Sequence, residues 1–291
     1  MIGPGTHVRH ARPSRDLAAA ERFWTGGLGL TENPTEGNRP MYDLKAHANS
    51  FGPVAAQYQA ARPSYPEALF DALERLSGRP LDGADVLDVG AGTGIATRLL
   101  AGRGARVVAV EPSAGMAAVL CEVSPELPVV KATGDELPFH DASVDFVTYA
   151  QAFHWTDPER SIPEAVRVLR PGGALAVWWN VKDYEVPWLA AQQERMRTAL
   201  STYHYTGGGN ARPEKLTASG LEVRSERLRW ERTVPVDQVI DDLTSRSYFA
   251  VLTPEQRAPV LAAERAALLA EFPDGRVVEP YLLDAFVLPK P

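Results

Sequence analysis

Between residues 81 and 180, short apolar runs alternate with stretches that place an apolar residue at every third or fourth position. Residues 85–89, 106–110, 129–132, 144–150 and 174–179 are nearly unbroken apolar runs, the pattern of strands covered on both faces. The stretches 95–103, 114–122 and 159–169 predict helices between them. That alternation predicts βαβ units and a parallel sheet. The sequence Pro171-Gly172-Gly173 predicts a turn ahead of the fifth strand. Farther on, 222–234 alternates with period two and 277–288 does so more loosely, while 256–271 is an Ala- and Leu-rich helix. Residues 46–80 read as helical segments broken at Arg62-Pro63 and Tyr65-Pro66. Residues 1–45, rich in Gly, Pro and Arg, stand apart.

Composition narrows the class. The chain has 291 residues, 45% hydrophobic and 23% charged, with a formal net charge of −7. This is ordinary globular usage and excludes a wholly disordered or collagen-like chain. The acidic balance argues against nonspecific nucleic-acid binding. Cys121 is the single cysteine, so a disulfide framework and a Cys-rich zinc site are excluded. The six histidines, His7, His10, His47, His140, His154 and His204, show no helical ligand spacing, and no metal is expected. No apolar run approaches the ~18 residues of a membrane span, and no secretory signal is read at the start. A cytoplasmic protein with no membrane contact is therefore expected.

The chemistry is carried by Val86-Leu87-Asp88-Val89-Gly90-Ala91-Gly92-Thr93-Gly94, a strand followed by a glycine turn opening a helix. Glycines let backbone approach a ligand without an intervening Cβ. About twenty residues on, Glu111 ends the next strand, where a carboxylate accepts hydrogen bonds from both ribose hydroxyls of an adenosine. The dinucleotide fingerprint would need glycine at 95, where Ile95 stands, which disfavours a nicotinamide oxidoreductase.

These residues resemble class I S-adenosylmethionine-dependent methyltransferases. The matching stretches are Leu87 to Gly94, Val110-Glu111-Pro112-Ser113, Gly134-Asp135-Glu136-Leu137-Pro138-Phe139 and Arg167-Val168-Leu169-Arg170-Pro171-Gly172-Gly173. Phe51 to Pro66 and Gln151-Ala152-Phe153-His154-Trp155 resemble a small-molecule branch related to trans-aconitate methyltransferases. The resemblance implies a Rossmann-like, doubly wound α/β fold for residues 46–291. Its sheet would have seven strands, mostly parallel with an antiparallel last strand. The implied cofactor is S-adenosylmethionine, giving S-adenosylhomocysteine. Gly90, Ala91 and Gly92 would face its methionyl part, Glu111 the ribose and Met116 the adenine. Asp135, with Gly134 and Glu136, would read the adenine amino group. Tyr58 and Arg62 would cover the methionine carboxylate, and Asp88, Pro112 and Gln151 complete the cofactor-binding set. Many relatives place the adenine acid directly after a glycine at the position that Thr133 occupies, so Asp135 aligns with their second acid.

The implied partner is a small-molecule acceptor, with an oxygen, hydroxyl or carboxyl, favoured. The alternative is a protein that binds the cofactor without methyl transfer, a cyclase or a non-catalytic binder. His154 follows the fourth strand and is the candidate catalytic residue. A histidine there suits a base for a hydroxyl acceptor. The competing reading is that it shapes the pocket beside Trp155. Trp178, Trp179 and Asn180 end the fifth strand, suggesting an aromatic acceptor pocket, and residues 181–250 are expected to contribute a lid and part of that pocket, with Gly207-Gly208-Gly209 a hinge or lid, or else an ordinary surface loop. Residues 7–30 resemble the opening strand and helix of a glyoxalase/bleomycin-resistance module. As an appendage they could pack on the main domain, mediate a homodimer or be loosely held.

Overall fold

The computed structural model describes residues 62–200, 213–217, 219–244, 246–250 and 252–291. The segment 1–45, Tyr58 and the expected hinge at 207–209 lie outside them. Pro66 opens helix α1 (Glu67–Ser77), and Gly78, left-handed at φ 74°, closes it by donating its N–H to the Glu74 carbonyl. Leu69, Phe70 and Leu73 recur on one face of α1 and are fully buried.

The central chain runs β1 (Asp85–Val89), α2 (Ile95–Gly102), β2 (Arg106–Val110), α3 (Ala114–Val123), β3 (Val129–Val130), β4 (Val144–Ala150), α4 (Pro158–Val168) and β5 (Leu169–Lys182). There follow α5 (Pro187–Ala199), α6 (Pro213–Thr217), β6 (Arg224–Pro235), α7 (Val236–Thr244), α8 (Ser247–Ala250), α9 (Pro254–Glu271) and β7 (Arg276–Pro289). The seven strands form one sheet in the order β3-β2-β1-β4-β5-β7-β6. β1 to β5 run parallel to one another, and β7 is antiparallel to both β5 and β6. This is the doubly wound sheet expected from the sequence.

Alternation along each strand splits the core in two. Leu87, Val89, Val108 and Val147 pack with Phe139, Ala165 and Val168 on the α4 side. Val86, Val107, Phe146 and Trp178 pack with Leu69, Phe70 and Leu100 on the α1 and α2 side.

Two local expectations are corrected. The third strand stops at Val130 rather than 132. The Pro-Gly-Gly sequence is not a turn ahead of β5 but an irregular stretch within it. Val144 pairs with Leu169 and Phe146 with Ala174. The intervening residues are held because Gly172 N–H donates to the Lys290 carbonyl and Lys290 N–H donates to Gly173.

Strand order reverses beside β1, whose neighbours are β2 and β4, creating a crevice beyond the carboxyl ends of these strands. Because β6 runs parallel to β5, the end of β6 and the start of β7 reach the same edge. The α7–α9 insertion between them packs in two small cores, one with the end of β6 and the start of β7 around Val234, Val239, Leu268 and Val277, and another with α5 around Met196, Leu243 and Phe249.

Candidate active site

The glycine turn after β1 is set by close packing. Gly90 has φ 69°, and a Cβ there would collide with the Ala152 side chain. Gly92 has φ 59°, and a Cβ there would meet no atom within 4 Å. Gly90 is therefore a packing requirement, whereas Gly92 borders open space. The N–H groups of Gly90 and Ala91 both donate to the Val110 carbonyl, at 2.8 and 3.2 Å. This ties the turn to the end of β2.

Glu111 stands at that end and is only 6% exposed. Its two carboxylate oxygens accept the N–H groups of Gly92 and Ser113, each at 2.8 Å. Burial pushes its pKa up, the two N–H bonds pull it down, and the charge of Asp88 adds a smaller upward push; the net direction is up. Each oxygen retains a further acceptor direction. Beside it, Ser113 caps α3, whose first turn carries the buried Met116, and Pro112 is half-buried.

Asp88 lies under the turn with no exposed surface. It accepts the hydroxyls of Thr97 at 2.6 Å and Thr148 at 2.9 Å. It thus fastens α2 and β4 to β1. Burial raises its pKa to about 6 against the opposing pull of those two bonds. The neighbouring Thr93 hydroxyl is buried with no hydrogen-bond partner.

The loop after β3 is fastened from two sides. Asp135 accepts the Asp157 N–H at 2.9 Å, and burial outweighs that bond to raise its pKa. The Tyr149 hydroxyl donates to the Gly134 carbonyl at 3.5 Å, and a Cβ at Gly134 would collide with that hydroxyl. Glu136 is half-buried, its N–H directed to the Thr133 carbonyl.

Beyond β4, Gln151 adopts φ 59° without being glycine. Its N–H donates to the Trp178 carbonyl at 3.0 Å and its side-chain Nε2 to the Asn180 carbonyl at 2.7 Å. Such strain persists only where the surroundings impose it and clusters at functional sites. His154 follows in a single 3-10 turn, Phe153–Trp155. The Trp179 indole N–H donates to His154 Nδ1 at 3.4 Å, which leaves the proton of the neutral ring on Nε2. The His154 ring lies 4.6 Å from that of Trp155, which is 46% exposed. Trp178 and Trp179 are buried in the two opposite cores, and Trp188 packs on Phe272. Arg62 acts from the other side, its charge helping to hold the Asp242 carboxylate low.

The structure thus brings the glycine turn, Glu111, Pro112, Met116 and Gln151 to one edge of the sheet. Sequence reasoning assigned no binding role to Thr93 or Lys182, and placed Asn180 only at the end of an expected aromatic acceptor pocket. The buried hydroxyl after the turn and the polar end of the apolar β5 run were the available signals. Among the described residues, no group of three or more His, Cys, Asp or Glu could hold a metal, and no helix is long and apolar enough to cross a membrane.

A family model described as a methyltransferase domain matches residues 87–177. An uncharacterized methyltransferase of Mycobacterium tuberculosis is 37% identical over 233 residues, covering 77% of this chain and 87% of the relative. An uncharacterized methyltransferase of Schizosaccharomyces pombe is 35% identical over 136 residues, covering 46% and 53%. A solved methyltransferase structure from Anaeromyxobacter dehalogenans superposes with a TM-score of 0.59 at 25% identity, covering 79% of this chain and 97% of that one.

Proposed function

The chain belongs to the class I S-adenosylmethionine-dependent methyltransferases, and from that premise we propose that it methylates an oxygen of a small-molecule acceptor at the carboxyl edge of β1, β2, β4 and β5. The observation that carries the reading is Glu111. A carboxylate 6% exposed, anchored by two backbone N–H groups and keeping spare acceptor directions, suits a pair of ribose hydroxyls. The open space at Gly92 and the unpartnered Thr93 hydroxyl beside it fit a bound ligand rather than packed protein.

Bound S-adenosylmethionine would supply an electrophilic methyl group on a sulfonium. In this reading Gly90, Ala91 and Gly92 face its methionyl part and Met116 its adenine. Asp135 reads the exocyclic amine beside Gly134 and Glu136. Pro112 and Gln151 border the ligand. Asp88 holds the turn in shape from below. In the same reading Tyr58 and Arg62 would approach from the segment resembling the trans-aconitate branch, and residues 7–30 would be an appended glyoxalase-like piece.

In this reading His154 orients the acceptor rather than serving as the base that a hydroxyl acceptor would need. The Trp179 N–H points at His154 Nδ1, which favours the tautomer protonated on Nε2, and in this reading the ring orients an acceptor oxygen. A carboxyl acceptor arrives ionised and needs no base. Orientation and exclusion of water then supply the rate.

Calorimetry with S-adenosylhomocysteine tests the reading. Glu111→Ala should weaken binding by about 1.5–3 kcal/mol, roughly 10- to 150-fold. Unchanged affinity would refute the assignment.

A further inference from the structure

Where β5 ends and β7 begins, four basic side chains surround two carboxylates. Lys182 Nζ lies 2.8 Å from Glu279 Oε1 and 3.9 Å from Asp242 Oδ2, and neither acid side chain has exposed surface. Arg232 contacts Glu279 at 2.7 Å and Arg246 contacts Asp242 at 2.7 Å. Arg62 adds its charge near Asp242. The Tyr281 hydroxyl donates to Glu279 at 3.0 Å. Burial alone would neutralise both acids, but Arg246, Lys182 and Arg62 outweigh it at Asp242, and Lys182 and Arg232 do so at Glu279. Both carboxylates are therefore ionised. Neighbouring acids do not alter the balance, because Glu264 is matched by Arg195 and Asp183 by Arg229. Among the described residues, the cluster carries four positive charges against two negative. The Lys182 side chain is 4% exposed, that of Arg232 14% and that of Arg246 30%, and an excess of charge so poorly solvated is eased when a counter-charge joins it.

A second observation lies on the same face of β5. Trp178, Asn180 and Lys182 are two residues apart and point the same way. Trp178 Nε1 and Asn180 Nδ2 are buried donors with no hydrogen-bond partner. Asn180 Oδ1 is engaged by Trp230 Nε1 at 2.8 Å, which fixes the amide so that its nitrogen is the orphan. Buried donors without acceptors are rare and call for an explanation. The face is continuous with the edge already described, because the Asn180 carbonyl holds the Gln151 side chain.

We propose that this face, lined by Trp178, Asn180, Lys182, Arg232 and Arg246, binds an oxyanion of the acceptor, a carboxylate or a phosphate. Resting on the methyl-transfer reading, it makes the substrate a small acid rather than a neutral alcohol or an amine. The anion's oxygens satisfy the orphan donors, and its charge offsets the excess.

The test titrates the protein, alone and saturated with S-adenosylhomocysteine, with sodium succinate and with inorganic phosphate at constant ionic strength. Succinamide and sodium chloride serve as comparisons. Saturable one-to-one binding of either oxyanion is expected, with none for succinamide. Asn180→Leu and Arg246→Gln should each weaken it by about tenfold or more, the effect of losing a charge-assisted hydrogen bond. Should Asn180→Leu fail to fold, Arg246→Gln carries the comparison. No saturable binding of either anion, or wild-type affinity in the folded variants, overturns the proposal. S-adenosylhomocysteine binding without anion binding overturns this site alone. Anion binding without S-adenosylhomocysteine binding overturns the methyl-transfer reading and keeps this site.

Discussion

Gly90 and Gly92 lie two residues apart in one turn, yet the structure gives alanine opposite consequences at the two positions. Both have left-handed backbone, φ 69° and 59°, so alanine costs about 1 kcal/mol at either from conformation alone. At Gly90 the new methyl would also collide with the Ala152 side chain. That side chain is a single methyl fixed to the backbone, and no rotamer change can clear it. Overpacking of this kind adds about 1–3 kcal/mol, so Gly90→Ala should lose about 2–4 kcal/mol of folding stability. At Gly92 the methyl meets no protein atom, and stability should fall only by the conformational cost of about 1 kcal/mol. The space it enters is, however, the space assigned to the cofactor. Binding of S-adenosylhomocysteine should then weaken by about 1–3 kcal/mol, roughly 5- to 150-fold. Guanidinium unfolding curves and calorimetric titrations on both variants separate the two effects. Wild-type affinity in Gly92→Ala, or a wild-type unfolding midpoint in Gly90→Ala, would refute the reasoning.

Asp88 provides a pH test. Its folded pKa of about 6 lies above the ordinary 3.8. Between those values the folded chain holds more protons than the unfolded one, so this group's contribution to stability is lost as pH rises from about 4 to 6. The ionised form costs about 3 kcal/mol at neutral pH. The stability of Asp88→Asn relative to wild type should therefore rise by about that amount between pH 4 and 7.5, and a pH-independent difference in denaturation midpoints would contradict the assignment. If His154 donates from Nε2, His154→Gln, which keeps a donor, should retain about tenfold more transfer rate than His154→Ala at equal cofactor affinity; equal single-turnover rates would remove that role. A chain beginning at Lys45 should fold and bind S-adenosylhomocysteine as the full chain does, and insolubility or lost binding would show that the first 44 residues belong to the core or to a dimer contact.

The central sheet was readable because its strands are buried on both faces and appear as plain apolar runs, as at 85–89 and 106–110. The antiparallel last strand was expected from the family resemblance, but the order β5-β7-β6 was not read, since period-two alternation at 222–234 and 277–288 does not state which edge the strands join. The Pro-Gly-Gly of β5 misled because its turn chemistry is genuine, while the Lys290 bonds that hold it in the sheet come from 117 residues away. Gln151 shows a different limit. Its left-handed backbone is imposed by the Trp178 and Asn180 carbonyls, and local composition carries no trace of it. The Lys182 cluster was hidden for a similar reason. Its acids, Asp242 and Glu279, lie in other elements, and no local pattern joins them. Glu111, by contrast, was legible from its spacing to the glycine turn, although its bonds to Gly92 and Ser113 were not.

The most direct test is transfer itself. The purified chain, incubated with methyl-labelled S-adenosylmethionine and a small-molecule extract, should move label into a low-mass acidic product and release S-adenosylhomocysteine in equal amount. Tight cofactor binding with no S-adenosylhomocysteine formed above the protein-free rate, in any extract, would contradict the account.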